Sequence, residues 1–405
     1  MPIDMYKNNQ KGKNKKKRLN IAHLHWGFPP IIGGVETHLN TILPAIARMG
    51  HRVGILTGAF SGVGSRYQYK GISVFRTPAM DLNWLSDRGV NGLEHEIIKN
   101  YMGFIDAMKP DILHAHNMHY FSKPHAEMLE TIALKKGIPM VLTAHNVWDD
   151  NLFLDLTRNI KWSRIIAVSH FIKRELIGVG IDDRKVTVIH HGVDSKLYRP
   201  GVATRNVYRK YPILKNRKVV FHPARMGLGK GCDVSIKALR VIVGRYPDAV
   251  LILAGTKNIV DWGSTQQKDI AYMIDLVDFF NLRKNVLIDA FPLADMPALY
   301  AASDVCVYPS TCSEPFGLTM LEAMSSGKPM IVTDAGGMPE IIKDGIDGFV
   351  IPIKNFEVLA SRVLQLFDDE KLAHRLGYTG REIVDMYYTK DMVTGNMLSL
   401  YRRLL

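Results

Sequence analysis

Two cations and two acids in the second half of the chain have the spacing needed to hold an elongated anionic ligand. Arg225 and Lys230 lie in the glycine-rich segment 225–231, directly after a hydrophobic run typical of a strand. Such cations suit a diphosphate, because arginine and lysine neutralise phosphate oxygens while glycines let the backbone come close. The alternative is a solvated basic loop. Glu314 and Glu322 follow, with seven residues between them.

The two glutamates are predicted to flank the beginning of one helix. A residue before proline is disfavoured in helices, so Glu314 should lie outside the helix and Pro315 in its first turn. Glu322 then falls roughly 10–12 Å further along the axis. That separation suits two ends of one ligand, such as hydroxyl groups of a sugar and of a ribose, and the alternative is an ordinary helix with a surface glutamate. The free amides expected near the helix start, which suit a phosphate or a hydroxyl group, belong to Phe316, Gly317 and Leu318.

In the first half, a glycine pair and several histidines follow predicted strands. Gly33 and Gly34 stand between the first strand and the first helix, where they would let a ligand approach the backbone. Such a pair is also common in plain turns, and the G-x-G-x-x-G dinucleotide fingerprint is absent. For any one histidine, a hydrogen-bonded structural role is the alternative to a functional one. The histidines expected at strand ends around one cleft are His23, His25, His114, His116, His119 and His145.

No metal site is predicted, because no close cluster of histidine, cysteine and carboxylate supplies four ligands. The pair Asp149-Asp150 beside Trp148 resembles a metal motif, but we interpret it as part of an acceptor-recognition loop, with a plain surface loop as the alternative. The candidate acceptor side chains, which suit a sugar or polyol stacked on an aromatic ring, are His25, Trp26, His116, Trp148 and Asp149.

Strand-like hydrophobic runs alternate with amphipathic helical stretches along most of the chain. The predicted strands are 19–25, 52–57, 111–115, 140–144, 164–168, 185–189, 218–222, 249–254, 285–288, 304–307, 329–332 and 348–351. Strands separated by helices indicate right-handed crossovers, so the predicted fold class is α/β with two Rossmann-like, doubly wound parallel-sheet domains. Ligands of such sheets bind beyond the carboxyl ends of the strands, so motifs from both domains should face one cleft.

The alternation lapses over residues 196–217, which contain two prolines and many charges. The predicted organisation is a disordered basic tail, a first domain, a linker, a second domain and a final helix, over residues 1–18, 19–195, 196–217, 218–385 and 386–405.

Composition indicates a globular protein of two domains: 405 residues, 47% of them hydrophobic and 22% charged. No apolar run approaches the roughly 18 residues of a membrane-spanning helix. The net charge is +13, of which residues 1–18 contribute +6. We interpret this basic tail as an electrostatic tether to anionic lipid or nucleic acid, or else as a solubilising tail. Three cysteines without zinc spacing indicate reduced thiols in a cytoplasmic protein.

The motifs together resemble those of the retaining glycosyltransferases of family 4, which have the GT-B fold. The resemblance spans about residues 19–404 and is strongest over 218–352, where the two cations and the two glutamates have the family's order and spacing. The other agreeing segments are Gly33-Gly34, Thr143-Ala144-His145, residues 190–194 (HHGVD) and residues 335–340 (AGGMPE).

The resemblance implies a role for each matched residue. Arg225 and Lys230 would neutralise the diphosphate of a nucleotide-sugar donor, and Glu322 would hold the ribose hydroxyls. Glu314 would hold hydroxyls of the donor sugar, and His145 would reach that sugar from the first domain. The residues implied to lie against the phosphates, the sugar or the base are Gly33, Gly34, Phe316, Gly317, Leu318, Phe291 and Pro292. The last helix would return to the first domain.

The implied activity is transfer of a hexose from a UDP- or GDP-linked donor to a hydroxyl of a saccharide, polyol or lipid-linked acceptor, with retention of configuration. The nucleotide sugar is a co-substrate, and neither a further cofactor nor a metal is expected. The implied location is the cytoplasm, with peripheral contact at the membrane's cytoplasmic face through the basic tail and without a specific nucleic acid. The alternatives are a nucleotide-sugar epimerase of the same fold, which needs no acceptor, and a basic protein that binds membrane surfaces or nucleic acid.

Overall fold

The computed structural model describes residues 17–147, 151–255 and 263–405. Most of the predicted basic tail lies outside these residues, and so do Trp148 and Asp149 of the predicted acceptor loop. In the part of the chain that is described, no helix is long and apolar enough to cross a membrane. The three cysteines are free thiols, with Cys232 and Cys306 buried and Cys312 exposed.

The first domain is built on an eight-stranded sheet. Its strands are β1 (Asn20–Leu24), β2 (Arg52–Gly58), β3 (Arg66–Tyr69), β4 (Ile72–Thr77), β5 (Ile112–His116), β6 (Met140–Ala144), β7 (Arg164–Ala167) and β8 (Val186–Val188). They lie in the order β3-β4-β2-β1-β5-β6-β7-β8. The helices of this domain are α1 (Gly34–Arg48), α2 (Leu82–Arg88), α3 (Glu94–Met108), α4 (Lys123–Lys136), α5 (Asn151–Arg158) and α6 (His170–Gly178).

One edge of this sheet differs from the predicted all-parallel arrangement. β3 runs antiparallel to β4, which makes the sheet mixed. The two strands are joined at Lys70 and Gly71, whose φ angles of 48° and 85° are both left-handed, as in the tight turns that favour hairpins. The sequence analysis missed this hairpin, because β3 is short and half-exposed and carries no hydrophobic run.

The second domain is built on a six-stranded sheet in which every pairing is parallel. Its strands are β9 (Val219–His222), β10 (Val250–Gly255), β11 (Val286–Ala290), β12 (Val305–Tyr308), β13 (Met330–Thr333) and β14 (Gly348–Ile351). They lie in the order β11-β10-β9-β12-β13-β14. All predicted strands of both halves are confirmed, with ends that differ by one or two residues.

Helices cover both faces of the second sheet, as expected for a doubly wound domain. They are α8 (Cys232–Ile242), α9 (Gly263–Phe279), α10 (Met296–Ala302), α11 (Leu318–Ser325), α12 (Met338–Ile341), α13 (Phe356–Asp368) and α14 (Glu370–Ile383). The predicted linker contains a short helix, α7 (Arg205–Lys210), which packs on α10. The Tyr211 hydroxyl donates to Asp289 over 2.7 Å, so this segment is anchored to the second domain.

The last helix, α15 (Lys390–Leu404), follows the second domain but packs against α1 of the first. The contact reaches the sheet itself, because the Tyr401 hydroxyl lies 2.6 Å from Nδ1 of His114 on β5. The other ring nitrogen of His114 lies 2.6 Å from Thr143 Oγ1 on β6. A hydrogen-bonded histidine thus ties the C-terminal helix to two central strands.

His114 belongs to a layer of histidines on the sheet face covered by α1 and α15. Side chains two residues apart on a strand point to the same face of the sheet. On this face, buried isoleucines lie near the strand starts and histidines near the carboxyl ends. His23 and His114, which are paired on β1 and β5, are an example. Burial lowers the pKa of His23 and of His38, which projects from α1, to about 3. Burial also lowers the pKa of the four other histidines in this layer, which are His114, His116, His145 and His191.

This layer predicts that the folded protein loses stability in mild acid. Below pH 6.5 an unfolded histidine binds a proton that the folded layer excludes. The free energy of unfolding should therefore decrease as the pH is lowered from 6.5 to about pH 3. Each buried histidine contributes up to about 1.4 kcal/mol per pH unit to the slope. His38→Leu should reduce the slope, measured by denaturant unfolding between pH 7 and pH 5.

The matched control is His374→Leu, because His374 is exposed on α14 and should leave the slope unchanged. A free energy of unfolding that is constant over this range, or a slope that His38→Leu leaves intact, would contradict the prediction.

Candidate active site

Each sheet reverses its strand order beside the first strand of its domain. In the first sheet β2 and β5 lie on opposite sides of β1, and in the second β10 and β12 lie on opposite sides of β9. Loops that leave such a point diverge and open a crevice at the carboxyl ends of the strands. The loops after β1 and β9 carry the glycine pair and Lys230, and the loop after β12 carries Glu314. The predicted motifs therefore lie at the two crevices.

The loop after β9 holds Lys230 through the backbone of Gly231. Gly231 has a left-handed φ of 76°, and a Cβ atom there would lie 1.8 Å from the carbonyl oxygen of Pro309. Only glycine fits this conformation and this close approach. The turn directs Lys230 toward the loop that follows β12, where its ammonium group meets Glu314.

Lys230, Glu314 and Tyr308 form a charged, partly buried cluster. Lys230 Nζ lies 2.7 Å from Glu314 Oε2, and the Tyr308 hydroxyl donates to the same oxygen over 2.5 Å. Burial would lower the pKa of Lys230, but the neighbouring Tyr308 and Glu314 oxygens outweigh it and hold that pKa above its ordinary value. The lysine is therefore a fixed positive charge, already oriented before a ligand binds.

Glu314 is held in place by a glycine pair from another loop. A Cβ on Gly336, whose φ is 62°, would lie 2.6 Å from the Glu314 backbone nitrogen, and the Gly337 amide donates to the Glu314 carbonyl oxygen over 2.7 Å. The motif at residues 335–340 thus supports the glutamate rather than a ligand directly.

The helix after Glu314 begins later than predicted. Gly317 adopts a left-handed φ of 87° and caps the helix, so α11 starts at Leu318 and Pro315 lies outside it. Glu322 is consequently one helical turn from the helix start, not two. The prediction of the helix start was wrong because Pro315 fits a first turn equally well, and only the backbone of Gly317 decides the boundary.

Glu322 is largely buried on α11, with 7% of its surface exposed. Its Oε2 accepts a hydrogen bond from the Tyr300 hydroxyl at 2.8 Å. Burial raises the pKa of Glu322 to about 7, against the opposing effect of hydrogen bonds from Tyr300 and Tyr198. At neutral pH this carboxyl group is therefore divided between its charged and its protonated form, and binding of a hydroxyl donor would favour the charged one.

On the first domain, Gly33 of the glycine pair lies against the carboxylate of Glu36. A Cβ on Gly33 would lie 2.2 Å from Glu36 Oε2, whereas a Cβ on Gly34 would meet no atom within 4 Å. The other carboxylate oxygen, Oε1, lies 3.1 Å from His25 Nε2. A side chain at Gly33 would displace the Glu36 carboxylate, while the open space at Gly34 is available to a ligand.

His145 does not project into the cleft but belongs to a chain of four imidazoles. Nδ1 of His23 lies 3.1 Å from Nε2 of His116, and Nδ1 of His116 lies 3.0 Å from Nε2 of His145. Nδ1 of His145 in turn lies 3.0 Å from Nε2 of His191. A neutral imidazole has one donor and one acceptor nitrogen, so the four tautomers must align in one direction. Both ring nitrogens of His145 and of His116 are thereby engaged.

Three of these buried histidines also have ring nitrogens within 4.8 Å of one another: His23, His114 and His116. The second and third already use both nitrogens in the hydrogen bonds described above. We therefore interpret the group as part of the hydrogen-bonded layer, and the absence of a bound metal stays a prediction.

A cavity of about 410 Å³ lies between the two domains and brings most of the candidate residues together. The predicted residues that line it are His25, Trp26, Gly33, Gly34, Arg225, Lys230, Phe291, Glu314, Gly317, Leu318 and Glu322. Seven predicted residues are described but do not line it: His23, His114, His116, His119, His145, Phe316 and Pro292. The Phe316 ring is buried against His191, at a centroid distance of 4.9 Å, and its neighbours Pro315 and Gly317 line the cavity instead.

The sequence analysis missed several lining residues, among them Glu36, Tyr308, Tyr120, Asn117 and Asn146. Glu36 stands two residues after the glycine pair, and Tyr308, Asn117 and Asn146 follow or end strands. A search of all polar residues at strand ends would have included them, but only the fold shows that they share one cavity.

Two family models match consecutive parts of the chain. The model described as glycosyltransferase family 4 matches residues 32–197, and the model described as glycosyl transferases group 1 matches residues 204–383. The uncharacterised glycosyltransferase MJ1607 of Methanocaldococcus jannaschii is 23% identical over 408 residues, which cover 95% of this chain and 98% of that protein.

Solved structures share the fold over nearly the whole chain. A glycosyltransferase from Rickettsia africae superposes with a TM-score of 0.78 at 21% identity, covering 96% of this chain and 98% of that one. Anabaena HepE, in complex with UDP and glucose, superposes with a TM-score of 0.77 at 20% identity, covering 95% of this chain and 100% of that one. From the two matched models, the two facing α/β domains and the motifs at their crevices, we conclude that this chain belongs to the family 4 glycosyltransferases with the GT-B fold.

Proposed function

We propose that this glycosyltransferase moves a hexose from a UDP- or GDP-linked donor to a hydroxyl group of its acceptor, with retention of configuration and without a metal. The observation that carries the proposal is the joint lining of one cavity by Arg225, Lys230, Glu314 and Glu322. These side chains can neutralise a diphosphate and accept hydrogen bonds from hydroxyl groups at both of its ends.

The donor is proposed to lie across the mouth of the second sheet. Its diphosphate contacts Lys230 and Arg225, its ribose hydroxyls contact Glu322, and its sugar contacts Glu314. The base lies near Phe291, which lines the same cavity. Anabaena HepE, whose fold is similar, has been solved with UDP and with UDP-glucose, which supports a nucleotide-sugar donor here.

In the proposed reaction, the acceptor oxygen forms a bond to the anomeric carbon as the bond from that carbon to the diphosphate oxygen breaks. The electron pair of the broken bond leaves with the diphosphate, and the acceptor's hydroxyl proton passes to the departing phosphate on the same face of the sugar. Negative charge builds on the phosphate, so cations oriented in advance supply the main stabilisation. We assign this role to Lys230 and Arg225.

The basic tail would supply a peripheral contact with anionic lipid. This part of the proposal is separable from catalysis, because the residues assigned to the donor all belong to the two domains. An epimerase of the same fold is the second candidate function, and it would consume the donor without any acceptor.

The first prediction concerns the cation. Lys230→Ala should lower kcat/KM by roughly 10²–10³-fold, the cost of removing one group that stabilises a developing negative charge. The value of kcat/KM is measured from the steady-state release of the nucleotide, and circular dichroism verifies that the variant is folded.

Lys237→Ala is a closely matched control. Lys237 forms an ion pair with Asp233 at 2.8 Å, is about as exposed as Lys230 and lies outside the cavity lining. Its removal should leave turnover unchanged. Wild-type turnover in a folded Lys230→Ala protein would refute the assigned role.

The second prediction concerns Glu322, whose pKa in the folded protein is about 7. A carboxyl group with a raised pKa destabilises the fold once it ionises, so the free energy of unfolding should fall as pH rises from about 4.5 to 7. Glu322→Gln should therefore be more stable than the wild type at pH 8, by about 3 kcal/mol, and equally stable at pH 4.5. Its donor affinity at pH 8 should fall about 10–100-fold, because a hydrogen bond to a charged group is lost.

Denaturant unfolding and donor titration at both pH values test this pair of effects. The control is Glu357→Gln, since Glu357 is exposed on α13. Unchanged donor affinity in Glu322→Gln at pH 8 would remove Glu322 from the donor site.

The third prediction separates the two glycines of the first domain. Gly34→Ala has room in the free protein, so its unfolding free energy should change by less than about 1 kcal/mol. If the donor approaches this backbone, the added methyl group should weaken donor binding at least tenfold. The donor affinity is measured by isothermal titration calorimetry with the nucleotide sugar.

Gly103→Ala serves as the control, because Gly103 on α3 also has no neighbour within 4 Å of an added Cβ. Donor affinity that is equal in Gly34→Ala and in the wild type would show that the donor stays away from this loop.

A further inference from the structure

The two walls of the cavity differ in the charged side chains that they carry. The second domain contributes two cations, Arg225 and Lys230, together with the acids Glu314 and Glu322. Among the described residues, the first domain contributes one acidic side chain, Glu36, and neither a lysine nor an arginine. With the donor diphosphate held by the cations of the second domain, an acceptor on the first wall would find no counter-charge for an anionic group.

The carboxylate of Glu36 is a fixed feature of that wall. It is 7% exposed, is wedged beside Gly27 and Gly33, and lies 3.1 Å from His25 Nε2. A carboxylate held this way accepts hydrogen bonds from hydroxyl groups and repels phosphate or carboxylate groups, with little screening in a confined cavity. The described part of this wall therefore repels anions and supplies no lysine or arginine to attract them.

Aromatic side chains provide the remaining recognition surface. The Trp26 and Tyr120 rings both line the cavity and pack together with their centroids 5.6 Å apart. Phe121 supports Trp26 from below in a stacked arrangement at 5.4 Å, and Asn146 Nδ2 donates to the Tyr120 hydroxyl over 3.2 Å. These contacts hold the rings in place before an acceptor binds, which reduces the entropy lost on binding.

Aromatic rings beside amide and carboxylate oxygens suit a polyhydroxylated ring. The C–H groups of a sugar pack against aromatic carbons, and its hydroxyls bond to polar groups at the edge. Asn117, Asn146 and Glu36 supply those polar groups on the same wall. A fully apolar acceptor could form no hydrogen bonds with these groups, and an anionic acceptor would meet Glu36.

We propose that the acceptor is an uncharged sugar or cyclic polyol, bound on the first-domain wall against Trp26 and Tyr120 with a hydroxyl directed to Glu36. This inference rests on the proposed glycosyl transfer and names the substrate class that completes it. A free monosaccharide and the terminal sugar of a neutral glycan share this chemistry, and the experiment separates them.

The experiment uses the full chain with the nucleotide sugar that protects it best against thermal unfolding. Acceptors are offered as matched neutral and phosphorylated pairs: methyl mannoside with mannose 6-phosphate, methyl glucoside with glucose 6-phosphate, N-acetylglucosamine with its 6-phosphate, and myo-inositol with its 1-phosphate. Neutral disaccharides of the same sugars form a further arm, which identifies a terminal glycan sugar as the source. The expected result is nucleotide release stimulated at least tenfold more by a neutral member than by its phosphorylated partner.

Trp26→Ala should lower kcat/KM for that acceptor about 10–100-fold, while the donor dissociation constant stays within twofold of the wild type. Trp84→Ala is the control, because Trp84 packs on the first domain's core away from the cavity. Asn146→Lys adds a cation to the wall and should shift the preference toward the phosphorylated partner.

Stimulation by phosphorylated members alone, or by none of the panel while the donor still binds, would overturn the proposal. So would an unchanged acceptor kcat/KM in Trp26→Ala. A wild-type protein that binds none of the nucleotide sugars would instead refute the proposed function, so the two failures are distinguishable.

Discussion

The ion pair between Lys230 and Glu314 is the contact on which the second half of the cavity depends. It joins two loops 84 residues apart in the chain, each leaving the sheet beside the point where the strand order reverses. Both partners are held by glycines whose backbones have no room for a side chain, Gly231 for the lysine and Gly336 for the glutamate. The pair satisfies two charges that would otherwise be costly to bury, and it keeps a cation where a diphosphate is proposed to bind.

The same region shows how a binding site departs from what stability alone would favour. Glu322 is buried among tyrosines with a raised pKa, so its ionised form costs the free protein stability. Such a cost is expected at a binding site, and here Glu322 lines the cavity one helical turn into α11. The buried imidazoles of the first domain also lower the free energy of unfolding in acid. Their hydrogen bonds have a structural role, since His114 connects α15 to the central strands.

The placement of α15 makes the two domains one functional unit. The chain ends on the first domain after completing the second, so the wall that carries Trp26 and the wall that carries Lys230 are connected through the linker and again through the final helix. The cavity between them is chemically uneven: Arg225 and Lys230 lie on one side with Glu314 and Glu322, and aromatic rings lie with Glu36 on the other. In the proposed reaction, this difference lets the donor diphosphate meet the cations while the acceptor binds on the opposite wall.

The sequence by itself determined the architecture and the chemistry of the second-domain site. Alternating strand and helix patterns are local. Arg225 lies close to Lys230 in the chain, and Glu314 close to Glu322, so each pair is visible as a motif, although the two pairs meet only in the fold. What only the tertiary structure decided depends on contacts between distant segments or on backbone angles: the start of α11 at Gly317, the β3–β4 hairpin at the sheet edge and the burial of His145 in a chain of imidazoles. No local pattern indicates that an imidazole will find its partner 29 or 46 residues away, and that partner decides whether it faces a cleft or the core.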